Sequence, residues 1–237
     1  MNTTYNNRRS TVFLSSPLNF TEELLPKYIS EFSSLGLLPT VNKGLGIKLS
    51  SKGIEPEEVI SLDLKKLDET LRVSFGPDRV DVVSTKIDET WDKFCEITIQ
   101  ISDVLLKLGK NFNRLALCAS VKFRLNDGLG ESAYSNLIGK SEEKPVEWQI
   151  RKVNRYSLQV SEDTKAVVND VQTISRNNII VNDEDLKDVI ILDLDLNTLV
   201  GTESEVIQSI RKPFWHAAST QIQKDISQYQ TEFEQWQ

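Results

Sequence analysis

Apolar residues recur at three- and four-residue spacing in three stretches, and each spacing predicts an amphipathic helix. The first holds Leu24, Leu25, Tyr28, Ile29, Phe32 and Leu35. Asn19 and Glu22 stand before it at capping-box spacing, Pro26 falls in its first turn, and Gly36 closes it where a left-handed residue is needed. The second, over about 86–109, carries Trp91, Phe94, Ile97, Ile101, Val104, Leu105 and Leu108. Thr85 and Asp88 can cap its start, and Lys107 and Lys110 flank Gly109 at its end, where cations favour the helix dipole. The third begins at a Thr202/Glu205 capping box and runs through Val206, Ile210, Phe214, Ala217, Ile222, Ile226, Tyr229 and Phe233. Pro213 is predicted to kink or split it. Unbroken, its ~33 residues span roughly 50 Å, which suggests that the last turns project.

Between these stretches the period drops to two, the mark of strands. Short strands are predicted near 11–15, 46–50 and 59–65, with the first ten residues frayed. "TLRVSFGPDRVDVVS" reads as a hairpin: Leu71, Val73 and Phe75 alternate on one arm, Val80 and Val82 on the other, and Gly76-Pro77-Asp78 forms the turn. "RLALCASVKFRL" is a long strand, and Gly128, Gly130, Gly139 and Pro145 mark residues 126–145 as a loop. In "VEWQIRKVNRYSLQV", Trp148, Ile150, Tyr156 and Leu158 share one parity, and Gln149, Arg151, Arg155 and Ser157 the other. Strands near 166–175 and 178–181 lead to "VIILDLDLNT".

Hairpin-linked strands outnumber helices, so the fold class is α+β: a largely antiparallel sheet, helices on one face, and a long C-terminal helix. The 237 residues form one domain, whose parts, about 10–125 and 126–237, loosely mirror each other without a repeat at sequence level. With 39% hydrophobic and 27% charged residues the composition is that of a soluble globular protein. No apolar run reaches the ~20 residues of a membrane helix. The start lacks a secretory signal, which points to the cytoplasm and to no membrane partner. A net charge of −7 argues against a protein that lives on duplex DNA. The two cysteines, Cys95 and Cys118, and the one histidine, His216, lack zinc-site spacing; the cysteines are expected reduced and buried.

The segments "TLRVSFGPDRVDVVS" and "RLALCASVKFRL", with the helix between them, resemble a sporadically distributed family of uncharacterised bacterial proteins. The matching positions are Phe75 to Arg79, Trp91 to Phe94, Arg114 to Leu117 and Ile191 to Asp195, within a span of about 10–225. The resemblance implies a fold, a bacterial origin and a mobile-element or phage-defence neighbourhood. It lends no activity.

Residue types in the chain suggest four chemistries. Asp193 and Asp195 could ligate a divalent metal in a nucleic-acid-acting enzyme, but they share parity with Ile191, opposite Ile190, Leu192, Leu194 and Leu196. That places them on the polar face of a half-buried strand. Leu196-Asn197 also replaces the glycine of the Asp-x-Asp-Gly-Thr strand in haloacid dehalogenase-like phosphatases. His216, lone and helical, gives a triad no support, and the Gly-Leu-Gly stretches at 44–46 and 128–130 lack a phosphate-loop frame. Arg151, Lys152 and Arg155 are candidates for nucleic-acid contact, although Trp148 and Tyr156 face away from the two arginines. The tail places Ile222, Ile226, Tyr229, Phe233 and Trp236 on one stripe, expected to form a homodimer interface. No catalytic residue, resident metal or cofactor is assigned. The reading is a non-enzymatic accessory or regulatory protein that binds another protein, in a phage-defence or toxin–antitoxin locus by the resemblance. The alternative is a metal-dependent nucleic-acid-acting enzyme or a nucleic-acid-binding module.

Overall fold

A computed structural model of the chain describes residues 3–50, 53–124, 129–139, 145–181 and 184–236. Nine strands form one antiparallel sheet: β1 (Thr3–Leu14), β2 (Leu38–Ser50), β3 (Gly53–Lys65), β4 (Leu71–Phe75), β5 (Arg79–Ser84), β6 (Phe112–Arg124), β7 (Trp148–Ser161), β8 (Thr164–Val181) and β9 (Glu184–Thr198). Their order is β2-β3-β4-β5-β1-β6-β9-β8-β7. β1 and β6 meet at the centre, from Thr3 opposite Phe123 to Leu14 opposite Phe112. Four helices complete the fold: α1 (Leu24–Ser33), α2 (Trp91–Lys107), α3 (Leu129–Leu137) and α4 (Ser204–Gln235). The α+β class stands. Among the described residues no helix is long and apolar enough to cross a membrane.

All four helices pack on one side. Ser10 on β1 bonds Thr98 of α2 at 2.8 Å. Phe75 on β4 meets Tyr28 and Phe32 of α1 edge-on, Trp148 on β7 meets Tyr134 of α3, and Phe123 on β6 meets Phe233 of α4. Register carries these positions to the same face: Ser10 lies opposite Val82 and Leu117, and Leu117 opposite Leu196. Val12, Val73, Leu117, Val121, Leu192 and Leu194 are buried there. Gly130 of α3 packs against the Arg176 side chain, whose guanidinium end would have to shift to admit a Cβ there.

Several boundaries differ from the sequence expectation, always where a neighbouring strand overrides local signals. β1 begins at Thr3, not about 11, because β6 pairs with residues that read as frayed. The strands near 46–50 and 59–65 are the ends of a long hairpin, Leu38–Ser50 with Gly53–Lys65. Residues 166–175 and 178–181 join as β8. Residues 129–137 of the expected loop are α3, and Gly128 lies outside the described residues. α1 receives its first side-chain bond from Thr21 rather than Asn19, Leu24 N donating to Thr21 Oγ1. α2 is capped by Thr90, whose side chain accepts from Lys93 N, and so starts later than 86. Gly36 adopts φ +67, and the hairpin turn closes with Gly76 N donating to Arg79 O.

α4 corrects the expected split at Pro213 and the expected projection of its last turns. It runs as one helix through Pro213, and it lies across α2, β6, β7, β8 and β9 instead of projecting. Burial on both sides of the proline holds it. Before it, the buried Arg211 guanidinium donates to Ile99 O, Ser102 Oγ and the Asp103 carboxylate, riveting α4 to α2. After it, Phe214 and Trp215 are fully buried. Thr202 does not cap the helix; its hydroxyl donates to Leu199 O.

Trp91 and Phe233 anchor the two ends of this helical layer, Trp91 beneath the Arg8 guanidinium and Phe233 between Phe123, Tyr229 and Trp236. Trp91→Ala and Phe233→Ala should each cost about 3–5 kcal/mol in a reversible urea melt, with chain mass in light scattering unchanged.

Candidate functional site

Among the described residues every helix lies on one side, and none covers the other, bare face of the sheet. Its residues are the alternate ones: Asn7, Arg9, Thr11 and Phe13 on β1, Arg114 to Lys122 at even numbers on β6, and Asp193, Asp195 and Asn197 on β9. Asn169, Val171 and Thr173 on β8 follow, then Arg151, Val153 and Arg155 on β7. A depression of about 460 Å³ crosses this face, lined by Asn7, Arg9, Cys118, Ser120, Arg151, Thr173, Asp193 and Asp195 among others. It spans β1 to β7, so the face is concave there.

The sequence-derived candidates divide between the two faces. Asp193, Asp195 and Arg151 come together in the depression, and Arg155 lies on the same face, donating to Asn169 Oδ1 at 3.0 Å. Lys152 does not join them; it lies on the helix side, 6.0 Å above the Tyr229 ring. Leu192, Leu194 and Leu196 are buried in the core while Asp193 is exposed, as the alternation requires. Asp195 accepts from Asn197 Nδ2 at 2.9 Å. Two guanidiniums share the depression with the two carboxylates, and their charge opposes a divalent cation. Among the described residues no group of three His, Cys, Asp or Glu could hold a metal.

Charge is distributed unevenly between the faces. The bare face carries Arg9, Arg72, Arg79, Arg114, Lys122, Arg151 and Arg155 against Asp63, Asp81, Asp193 and Asp195, in a chain of net −7. Arg72 pairs with Asp63 and Arg79 with Asp81. Three others bond neutral acceptors: Arg9 to Cys118 Sγ at 3.4 Å, Arg114 to Asn197 Oδ1 at 2.8 Å, and Arg155 to Asn169. Burial pushes the Cys118 thiol up to about 12, so the sulfur stays protonated and serves as a soft acceptor. Cys95, buried under Trp215, is pushed up to about 11 by the same cause. Both cysteines are free.

The C-terminal stripe is used within the chain. Ile222, Ile226, Tyr229 and Phe233 are buried against the sheet, and Trp236 is half-buried on Phe233. They are therefore not an open dimer interface: α4 lies along β6 to β7, which cover the stripe. Beneath it is a buried polar cluster. Tyr229 Oη donates to Gln172 Oε1 at 2.7 Å, Gln172 Nε2 to Asp170 at 2.9 Å, and Gln221 Nε2 to Asp225 at 2.8 Å. Burial first, and the Asp170 carboxylate second, push Asp225 up to about 6.

A second unusual surface lies at the β2 end. β3 meets β4 only over Asp63 to Lys65, so most of the β2–β3 hairpin extends beyond the sheet as an arm. Val41 lies opposite Leu62, and the same parity carries Leu45, Ile47 and Ile54 onto the continuation of the core face. There they are 86%, 76% and 71% exposed. At the arm's root a groove of about 400 Å³ is lined by Leu18, Phe20, Val59, Ile60, Phe75 and Pro77. Neither the arm nor Arg9 and Arg114 were candidates from sequence. The alternation of Val41, Leu45 and Ile47 was the available signal for the arm. For Arg9 none existed, since its strand is visible only through β6.

No protein-family model matches the chain, and a search of curated proteins finds no similar sequence.

Two measurements test these assignments. Asp193→Asn with Asp195→Asn should change stability by less than about 1 kcal/mol, and Mg²⁺ or Mn²⁺ should not shift the melting of the wild type. Asp225 has a folded value above its ordinary carboxylate value, so the fold takes up a proton that the unfolded chain still lacks. Its contribution is therefore most favourable in acid and is lost as pH rises through about 6. Asp225→Asn should stabilise the protein at pH 7.5 by about 1–3 kcal/mol and flatten the difference between urea melts at pH 7.5 and pH 5.

Proposed function

We propose that the protein works by binding, and that its arm takes up an extended segment of a partner protein along the free edge of β2. The observation that carries this reading is the exposed apolar patch of Leu45 and Ile47 on β2, the strand at the end of the sheet, with Ile54 on the adjoining β3. Contiguous exposed apolar surface marks interaction sites. An edge strand also offers unpaired backbone groups to an added strand. A partner strand laid beside β2 would continue the helix-side face. Alternate apolar side chains on it would cover the row, and one of them could anchor in the groove at the root. Both edges carry cations that hinder strand addition, Lys43 and Lys48 on β2 and Arg151, Lys152 and Arg155 on β7 at the other end; the exposed apolar row of the arm is what favours β2. Such a protein would act as an accessory or regulatory component, its partner being the product of a neighbouring gene or a second copy of the chain.

A photocrosslinking amino acid placed at Leu45 or Ile47, in the cells of origin, tests this. One discrete crosslinked species should form from those positions and not from Asn42, on the arm's opposite face. Leu45→Asp with Ile47→Asp should abolish its co-purification while leaving the urea melt within about 0.5 kcal/mol of wild type. Equal crosslinking from both faces, or none from either, overturns the reading. The mass of the adduct separates a heterologous partner from a second copy.

A further inference from the structure

The bare face has its own chemistry, independent of the arm. We infer that it binds double-stranded nucleic acid, the two backbones resting on cationic rims and a groove lying over a carboxylate floor.

The rims come from sheet order. Arg9 and Arg114 stand on the central strands β1 and β6, and Arg151 and Arg155 on the outer strand β7. β1 and β7 are four strand steps apart, ~19 Å at ~4.8 Å each. That exceeds the ~12 Å of a major groove, so long arginine side chains from the two rims can reach the phosphates on both of its sides. Arg9, Arg114 and Arg155 donate to a thiol and two amide oxygens rather than to carboxylates; Asp81 and Asp195 act on Arg9 only through space, leaving these guanidiniums able to take a phosphate. Arginine, planar and with several donors, suits this contact.

The floor between the rims holds Asp193 and Asp195 with Ser120 and Thr173. Carboxylates there would repel phosphates placed centrally, and this keeps a backbone to the sides. They accept from the donors that a groove presents: amino groups of cytosine and adenine, or the 2′-hydroxyls of RNA. A single strand is the poorer fit, because it needs aromatic platforms. The described floor residues include none, and Phe13 on the same face lies under the Arg114 guanidinium at 4.7 Å. The overall charge of −7 does not oppose the assignment, since on this face the seven named cations outnumber the four named aspartates, and Glu22, Glu96, Asp103 and Glu232 belong to the helical side.

Fluorescence anisotropy of a labelled 20-base-pair duplex, as DNA and as RNA, against the full chain provides the test. Binding is expected at 50 mM salt. With about four phosphates neutralised it should weaken roughly 100-fold by 200 mM. Arg151→Glu with Arg155→Glu should weaken it at least tenfold. Lys27→Glu with Lys224→Glu, the same charge change on the helical side, should alter it less than threefold. Urea melts of both variants establish that they are folded, and Arg151→Gln with Arg155→Gln replaces the first pair if it is not. Preference for RNA would assign the floor to 2′-hydroxyls, and equal binding to base edges; either supports the inference. It is overturned by no duplex binding at tens of micromolar protein, by tighter binding of the single strand, by equal loss in the two charge variants, or by polyglutamate displacing the duplex as well as unlabelled duplex does.

Discussion

The antiparallel ladder between β1 and β6 is the constraint from which the rest follows. It fuses the strands before it and after it into one nine-stranded sheet. The two strands lie side by side and the helices of both parts share one face, so α2 and α4 come into contact. The junction is then fixed by Arg211, whose buried guanidinium is supported by a carbonyl, a hydroxyl and a carboxylate. A charge so placed is tolerable because its two terminal nitrogens are met, although the buried Nε has no hydrogen-bond partner among the described residues. The clamp therefore acts chiefly on geometry, fixing how the two helices cross over the central strands.

One-sided coverage sorts the side chains of every strand. Positions toward the helices must be apolar or bonded, as Ser10 is to Thr98. Positions toward solvent are free of that demand, and they hold the arginines, aspartates and amides of the concave face. The same rule makes the arm distinctive. Its pattern still follows the core face after the helices have ended, so Leu45, Ile47 and Ile54 are written as interior residues and stand outside.

The parts of the fold that local periodicity controls were legible in the sequence. Trp91 to Leu105 repeats every three or four residues and is α2; Leu71 to Val82 alternates about a Gly-Pro-Asp turn and is the β4–β5 hairpin. The placing of Asp193 and Asp195 on a polar face followed from the same alternation. What sequence obscured depends on partners distant in the chain. The start of β1 reads as polar and frayed until β6 is set beside it. Pro213 reads as a break until Arg211, Phe214 and Trp215 are seen to be buried around it. The tail's aromatic stripe reads as unpartnered because helical length alone does not show that the sheet runs beneath it. Lys152 falls between two arginines in sequence, yet the pleat turns it to the opposite face from both.

The central ladder also has a consequence for the order in which the chain becomes stable. Arg9 lies 109 residues before its cross-strand neighbour Cys118, and 74 residues separate Arg9 from Val83 on the other side. β1 leaves the ribosome before the strands it pairs with and acquires those partners late. At ~5–20 residues per second, roughly 5–20 s pass before β6 can reach it. During that interval the middle strand of the finished sheet is an open edge, and its polar, arginine-rich sequence keeps it from pairing with other nascent chains. The polarity that hides the first half of β1 from a sequence reading thus guards it until the strands that define it have been made.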